Sequence, residues 1–329
     1  MKRRLNRFSN IIAPALLLAA CSSAPGDAAP ADNATAEAQA NAKANIKANP
    51  TASDPVRLAT ACKGRDGWAD AAPPAHLFGN TWYVGTCGIT AILITGNQGH
   101  VLIDGGVPEA APLVLANIKA AGFKPKDVRW ILSTHEHFDH AGALAAIQRA
   151  TGARVAALPA SAEVLESGKA DAADPQFGQL DAFPAVHVDK RLTDGERVTL
   201  GNITLTAHAT PSHAAGSTSW TWRSCDDAGK CLNIAYADSV SAISVKSYRF
   251  TDHPDRIAAV RQGYARIAAL PCDLLISPHP GASDLFARLA GTSPLVDPTA
   301  CRAYAAAATT RFDQRLSDEG KPEAKETHS

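Results

Sequence analysis

Beyond residue 56 the chain alternates between short apolar runs and longer stretches with helical spacing. Thr90 to Thr95 (TAILIT) and His100 to Asp104 (HVLID) predict two buried strands, joined by a turn at Gly96-Asn97-Gln98-Gly99. Ala111 to Ala121 predicts a helix, and Val128 to Ser133 a further strand. Gly142 to Thr151 then predicts a helix, Arg154 to Ala157 a strand, and the stretch between Val198 and Tyr236 several strands. Towards the end, His253 to Leu270 is helical, Asp273 to Ile276 is a strand, and Ser283 to Leu289 and Thr299 to Leu316 are helices. Strands at both ends of this region, each followed by helices, predict an α/β (α+β) domain made of two βα halves that face each other.

The N-terminal pattern is different. Met1 to Asn10 carries Lys2, Arg3, Arg4 and Arg7 with no acid, and Ile11 to Ala20 is apolar but too short to span a bilayer, as in an export signal. Leu18-Ala19-Ala20-Cys21 resembles a bacterial lipobox, in which the cysteine is acylated and becomes the new N-terminus. Ser22 rather than Asp follows, which by resemblance to Gram-negative lipoproteins favours the outer membrane. From there to Pro55 the chain is mostly Ala, Asn, Asp, Lys and Pro, unable to bury enough surface to offset its ordering entropy. The expected organisation is a lipoprotein signal peptide at 1–20, a disordered tether at 21–55, one folded domain at 56–316 and a polar tail at 317–329.

Composition refines this picture. The 329 residues hold 32 Lys+Arg and 32 Asp+Glu, which gives no basic excess and so no reason to expect a nucleic-acid binder. Export would remove four basic residues and no acid, so the mature chain would be acidic by four charges. Seven cysteines are an odd number, but assigning Cys21 to the lipid leaves six that suit an oxidising compartment.

The chemistry is concentrated where an apolar strand gives way to a helix start. Ser133-Thr134-His135-Glu136-His137-Phe138-Asp139-His140 places three imidazoles and two carboxylates in six residues. Neutral imidazole and carboxylate are the donors that zinc takes, and no core tolerates so many polar groups unpaired. The spacing aims His135 and His137 at one ion, with Asp139 and His140 turned towards a second. Glu136 alternates away from them and is expected at the surface or as support, not as a base. Asp104, after its strand, either supports a histidine ligand or caps the next segment; His208 is expected to be structural. Trp68, Trp82, Tyr83 and Phe177 either line a groove or belong to the core.

This HxHxDH pattern resembles the signature of the metallo-β-lactamase superfamily, which implies a four-layer αββα sandwich with a two-metal site at one edge. Thr210-Pro211-Ser212-His213-Ala214-Ala215-Gly216-Ser217 and Ser277-Pro278-His279-Pro280-Gly281 resemble the superfamily's other histidine-bearing segments, with departures at Ser212, Ala214 and Ala215. Gly79 to Gly85 (GNTWYVG), His135 to Gly142 (HEHFDHAG), Gly216 to Trp222 (GSTSWTW), Tyr236 to Ser239 (YADS) and His279 to Ser283 (HPGAS) resemble subclass B3, as does the absence of a cysteine ligand at Ala237-Asp238-Ser239. The resemblance implies two Zn2+ ions, the first held by His135, His137 and His213, the second by Asp139, His140 and His279.

It further implies β-lactam hydrolysis by a zinc-bound hydroxide, with Asp139 orienting that hydroxide as well as holding metal. Two zincs about 3.5–4 Å apart acidify a water and polarise the lactam carbonyl. Ser239 and Ser241 are expected near the substrate and, in Asp174-Pro175-Gln176-Phe177-Gly178, Gln176 as a substrate contact. Asp238 is expected to support the site; the rival is the metal-bridging Asp of lactonase, phosphodiesterase and glyoxalase II relatives. Sequence alone leaves the cysteine pairing open. The simplest scheme joins neighbours, Cys62–Cys87, Cys225–Cys231 and Cys272–Cys301, and subclass B3 relatives resemble it. Two other functions remain: a metal-dependent hydrolase of a lactone, thioester or phosphodiester, and a non-catalytic metal-binding lipoprotein. The expected setting is a monomer on the periplasmic side of the envelope, held to the membrane only by its lipid, or otherwise soluble there.

Overall fold

The structure, a computed structural model, describes residues 54–321. The expected signal peptide, Cys21 and nearly all of the tether lie outside the described residues, as does most of the tail. The first element is a helix, α1 (Pro55–Ala61), started by Asp54, whose carboxylate accepts from the Val56 amide at 2.8 Å, and by Pro55 at the first helical position.

Twelve strands form two sheets among the described residues. The first holds β1 (Ala75–Phe78), β2 (Thr81–Tyr83), β3 (Ile92–Gly96), β4 (Gly99–Ile103), β5 (Val128–Leu132), β6 (Arg154–Ala157) and β7 (Lys190–Arg191), in that order. Strands β1 to β4 form an antiparallel meander, after which β4 to β7 run parallel. Parallel neighbours need crossovers, supplied by α2 (Ala111–Ala120), by α3 (Phe138–Ala141) with α4 (Leu144–Thr151), and by α5 (Pro159–Ser167). The second sheet has the order β12 (Leu274–Ile276), β11 (Cys231–Tyr236), β10 (Thr218–Cys225), β9 (Ile203–Ala209), β8 (Arg197–Leu200). Only β11 and β12 are parallel there, joined through α6 (Pro254–Ala268). Helices α7 (Leu285–Leu289) and α8 (Ala300–Glu319) complete the chain.

The αββα layering explains the uniformly apolar strands. Within β3, Ile92 and Ile94 face the second sheet and pack in one core with Leu205, Trp220, Ile234 and Ile276. Leu93 faces the other way, into a second core with Val114, Ile118, Leu144 and Leu165 of the outer helices. A strand buried on both faces has no polar side, so it shows a continuous hydrophobic run. A third core joins Ala235 and Leu275 to Val260, Tyr264, Tyr304 and Phe312 of α6 and α8. Trp82 and Tyr83 are buried core side chains, not groove residues.

Several elements depart from expectation. Helix α5 went unpredicted although it has proline at its first position and a left-handed Gly168 (φ 66°) after its last. The last helix continues to Glu319 instead of ending at Leu316, because the Glu319 carboxylate accepts from both the Thr251 amide and Arg315.

The three neighbour disulfides, Cys62–Cys87, Cys225–Cys231 and Cys272–Cys301, are all present. Cys272 and Cys301 are 29 residues apart, whereas Cys225 and Cys231 are six apart across the β10–β11 hairpin. Loop-closure entropy therefore predicts that replacing Cys272 and Cys301 by Ser costs about 3.5 kcal/mol in urea unfolding, and replacing Cys225 and Cys231 about 2 kcal/mol. Equal losses for the two pairs would contradict that origin of the stabilisation.

Candidate metal centre

Histidines and carboxylates meet where strands of both sheets end. His135 and His137 lie in the loop after β5, and Asp139 and His140 on the single turn of α3. His213 is in the connection from β9 to β10, Asp238 and Ser239 follow β11, and His279 follows β12. Donor atoms of His135, His137 and His213 all lie within 4.8 Å of one another, as do those of His135, Asp139 and His140.

Each histidine of the first group is fixed by one nitrogen. His135 Nδ1 donates to Asp238 Oδ1 at 2.8 Å, His137 Nε2 to Asp174 Oδ2 at 2.9 Å, and His213 Nδ1 to the Ser241 carbonyl at 2.7 Å. These partners only accept, so each ring carries its proton on the outer nitrogen and turns a lone pair inwards. At His135 that inner atom, Nε2, is fully buried and has no hydrogen-bond partner. Such an orphan is costly unless something electrophilic meets it. Burial, reinforced by neighbouring imidazoles, holds His135 and His213 well below the ordinary imidazole range, so both are neutral donors. Burial also lowers His137, but the hydrogen bond and charge of Asp174 outweigh it and leave that ring raised.

The second group is tighter. Asp139 Oδ2 lies 3.1 Å from His140 Nε2 and 3.3 Å from His279 Nε2, and the two Nε2 atoms are 3.3 Å apart. Two facing imidazole nitrogens and a carboxylate oxygen at such distances form a donor set that one cation satisfies all at once. Burial alone would lower His140, but the charge of Asp139 and the bonds to Asp104 and Asp139 lift it to about 10. Burial raises Asp139, but His140 outweighs it and holds the carboxyl well below the usual range. The donor set and the orphaned nitrogen together fit a metal centre.

The carboxylates behind the ligands resolve two open alternatives. Asp104 is not a cap; its Oδ1 accepts from the Thr134 amide at 2.7 Å, its Oδ2 from the hydroxyls of Thr134 at 2.7 Å and Tyr236 at 2.9 Å, and His140 Nδ1 lies 3.6 Å away. It does this from a left-handed backbone (φ 61°) that a non-glycine residue holds only under constraint. Asp238 engages His135 from the outer side, a supporting position and not one between two metals. Its own amide donates to Ser219 Oγ at 3.0 Å.

Glu136 is not at the surface. It is 4% exposed, and its Oε1 accepts from the Gly216 amide at 2.8 Å, which ties the His135 loop to the turn after His213. Burial pushes its carboxyl upwards. A Cβ on Gly216 would meet the Ser161 amide nitrogen at 2.4 Å and Glu136 Oε2 at 2.5 Å, so only glycine fits. His208 is structural as expected, with Nε2 2.8 Å from Thr221 Oγ1.

A groove of about 710 Å³ opens onto the cluster, lined by Trp68, Asp139, Gln176, Ser239, Ser241 and His279 among others. Gln176, Ser239 and Ser241 thus all reach the site; Phe177 does not line the groove. Ser241 Oγ is also 3.1 Å from His213 Nδ1, and Gln176 Nε2 is buried without a partner.

Three contributors went unpredicted. Asp174 grips His137 with Oδ2 and the Gln176 amide with Oδ1, fixing the flanking loop to a ligand. Arg256 donates to the carbonyls of Pro211, Ser212 and His213 at 2.7, 3.1 and 2.8 Å, clamping the His213 segment. Arg311 of α8 is the only lysine or arginine lining the groove among the described residues. DPQFG hinted at the first; nothing in the sequence pattern marked the other two.

Comparison with known proteins agrees with this geometry. The family model described as the metallo-beta-lactamase superfamily matches residues 84–227. Among solved structures, the chain is similar to the metallo-beta-lactamase MIM-1 from Novosphingobium pentaromativorans, with 58% identity over 82% of this chain and 100% of that one, and a TM-score of 0.80. It is also similar to MEM-A1, a subclass B3 metallo-beta-lactamase from a soil metagenome library, at 43% identity over 77% of this chain and 98% of that one, with a TM-score of 0.74. A hydroxyacylglutathione hydrolase of Anaeromyxobacter dehalogenans is 34% identical over 133 residues, 40% of this chain; the chain thus spans 41% of that curated relative.

If Asp238 orients His135, Asp238→Ala weakens metal retention by about 10- to 100-fold in chelator competition, and Asp238→Asn, which keeps an acceptor, by less. Unchanged retention in Asp238→Ala would show that His135 is held without it.

Proposed function

The chain belongs to the metallo-β-lactamase superfamily, within subclass B3, and from that premise we propose that it hydrolyses the amide bond of β-lactams with two bound Zn2+ ions. The observation that carries this reading is the paired donor set opening onto one groove: three histidines each fixed through an outer nitrogen, beside Asp139, His140 and His279 around a second point. His135, His137 and His213 hold one ion; Asp139, His140 and His279 hold the other. Bound there, zinc supplies Lewis acidity towards the lactam carbonyl and towards a water nucleophile.

The chain's own residues do the rest. Asp139, its carboxylate among the second set of donors, orients the attacking water. Water adds to the carbonyl carbon, the C–N bond breaks, and the ring nitrogen leaves with a proton. Ser239 and Ser241 offer hydroxyls to the substrate carboxylate, and Gln176 meets the substrate from the flanking loop. Ser241 is partly committed to His213, so Arg311 at the groove wall adds the charge that a carboxylate seeks.

The hydroxyacylglutathione hydrolase match keeps thioester hydrolysis as a second reading. Asp238 speaks against it, because the carboxylate expected to bridge two metals in those relatives here grips the outer nitrogen of His135.

We also propose that the protein works as a monomer on the periplasmic side of the envelope, anchored through Cys21. The apolar segment ending at Cys21 and three disulfides suited to an oxidising compartment support that setting. Among the described residues no helix is long and apolar enough to cross a membrane.

With zinc present, the purified domain is expected to hydrolyse nitrocefin and a carbapenem, to lose both activities to a chelator, and to leave S-lactoylglutathione intact. Thioester turnover without β-lactam turnover would overturn the assignment. Replacing Arg311 by Ala is expected to raise KM for a carboxylate-bearing β-lactam about tenfold with kcat nearly unchanged, since the contact is made equally in ground and transition states. A fall in kcat at constant KM would place Arg311 elsewhere in the reaction.

A further inference from the structure

A second cavity, of about 570 Å³, lies beyond the metal groove and shares only His137, Phe138 and Leu180 with it. Its volume is in the range of small-molecule sites. One side is formed by the loop from Asp171 to Asp181 and by Phe183, the other by Tyr248, His253 and the start of α6. Tyr248 and His253, both lining the cavity, are stacked on each other with centroids 4.3 Å apart and planes at 10°, so each ring has one face covered by the other and only its outer face and edges left for a ligand. Phe138 and Phe183 add further rings.

Charge on this cavity is one-sided. Six carboxylates line it, those of Glu136, Asp171, Asp174, Asp181, Asp252 and Asp255, against one arginine. That arginine, Arg256, directs its guanidinium into three backbone carbonyls. Asp181 and Asp255 are exposed, and their side chains make no hydrogen bond or ion pair among the described residues. Aromatic rings and unpaired carboxylates around a largely apolar hollow are the combination that recognises an organic ammonium ion.

We propose that this cavity is a second ligand site, separate from the substrate groove, that takes a small organic cation with an apolar body. Two contacts connect it to the metal centre. Asp174 lines the cavity and grips His137, and Arg256 lines it and clamps the His213 segment. A ligand seated there touches the supports of two metal ligands, so its affinity depends on whether the centre is loaded. The binding itself does not depend on which bond the enzyme cleaves.

The test is calorimetric titration of the zinc-loaded protein with benzyltrimethylammonium, with phenylacetate as an anion of similar size. Saturable one-to-one binding of the cation and none of the anion is expected. Affinity falls about tenfold in the double variant Asp181→Asn/Asp255→Asn, whose exposed positions leave the fold intact, and stays unchanged in Ile243→Ala, an exposed groove position that does not line the second cavity. Repeating the titration after zinc removal is expected to shift the dissociation constant severalfold. No saturable binding, or binding lost in Ile243→Ala and kept in the double variant, would overturn the site. An equal dissociation constant with and without zinc would overturn the coupling.

Discussion

A buried imidazole has two nitrogens to satisfy, and most of this molecule's polar architecture follows from that requirement. His135 is fully buried, and His137 and His213 nearly so, where water cannot serve as a partner. Each therefore gives its N–H to an acceptor on the outside, from Asp174, Asp238 or the Ser241 carbonyl. The remaining nitrogens then have nowhere to turn but inwards. A cluster of inward lone pairs is unstable by itself and stable around a cation, so the same constraint that folds the loops also selects what they bind.

The sandwich positions those acceptors. Asp238 follows β11 of one sheet while His135 follows β5 of the other, so their hydrogen bond also ties the two sheets together. Trp220 Nε1 to the Ser133 carbonyl at 3.0 Å and Tyr236 hydroxyl to Asp104 at 2.9 Å do the same beside it. The metal site is thus built across the seam between the two halves, on strand ends whose interiors are locked by continuous apolar packing. Loops carry the chemistry, and rigid strands set their spacing. Helices α6 and α8 close the far side: Arg256 reaches from one to the His213 segment, and Arg311 from the other to the groove.

How much of this the sequence revealed depended on whether a feature was local. The strand runs around Leu93 and Leu102 were visible because burial on both faces leaves an unbroken apolar signature. The ligands His135, His137, Asp139 and His140 were visible because four donors packed into six residues suit a metal ion and little else. His213 and His279 needed the family resemblance, and so did the disulfide pairing. For Glu136 the alternation away from the ligands left solvent and support both open, and its acceptor role towards the Gly216 amide, 80 residues later, is the supporting one. Asp174 acts on His137 over 37 residues and Arg256 on Pro211 over 45, and neither pairing leaves a periodic trace. Long-range polar contacts are set by the finished fold, and periodicity reports only the faces from which it is built.

The most direct measurement is anomalous diffraction at the zinc edge from crystals of the zinc-loaded protein. Two peaks are expected in the groove, one within bonding distance of His135, His137 and His213, the other of Asp139, His140 and His279, with Asp238 still on His135 Nδ1. One peak alone, or a metal ligated by Asp238, would contradict the central claim that outer-nitrogen pairing builds a two-metal site.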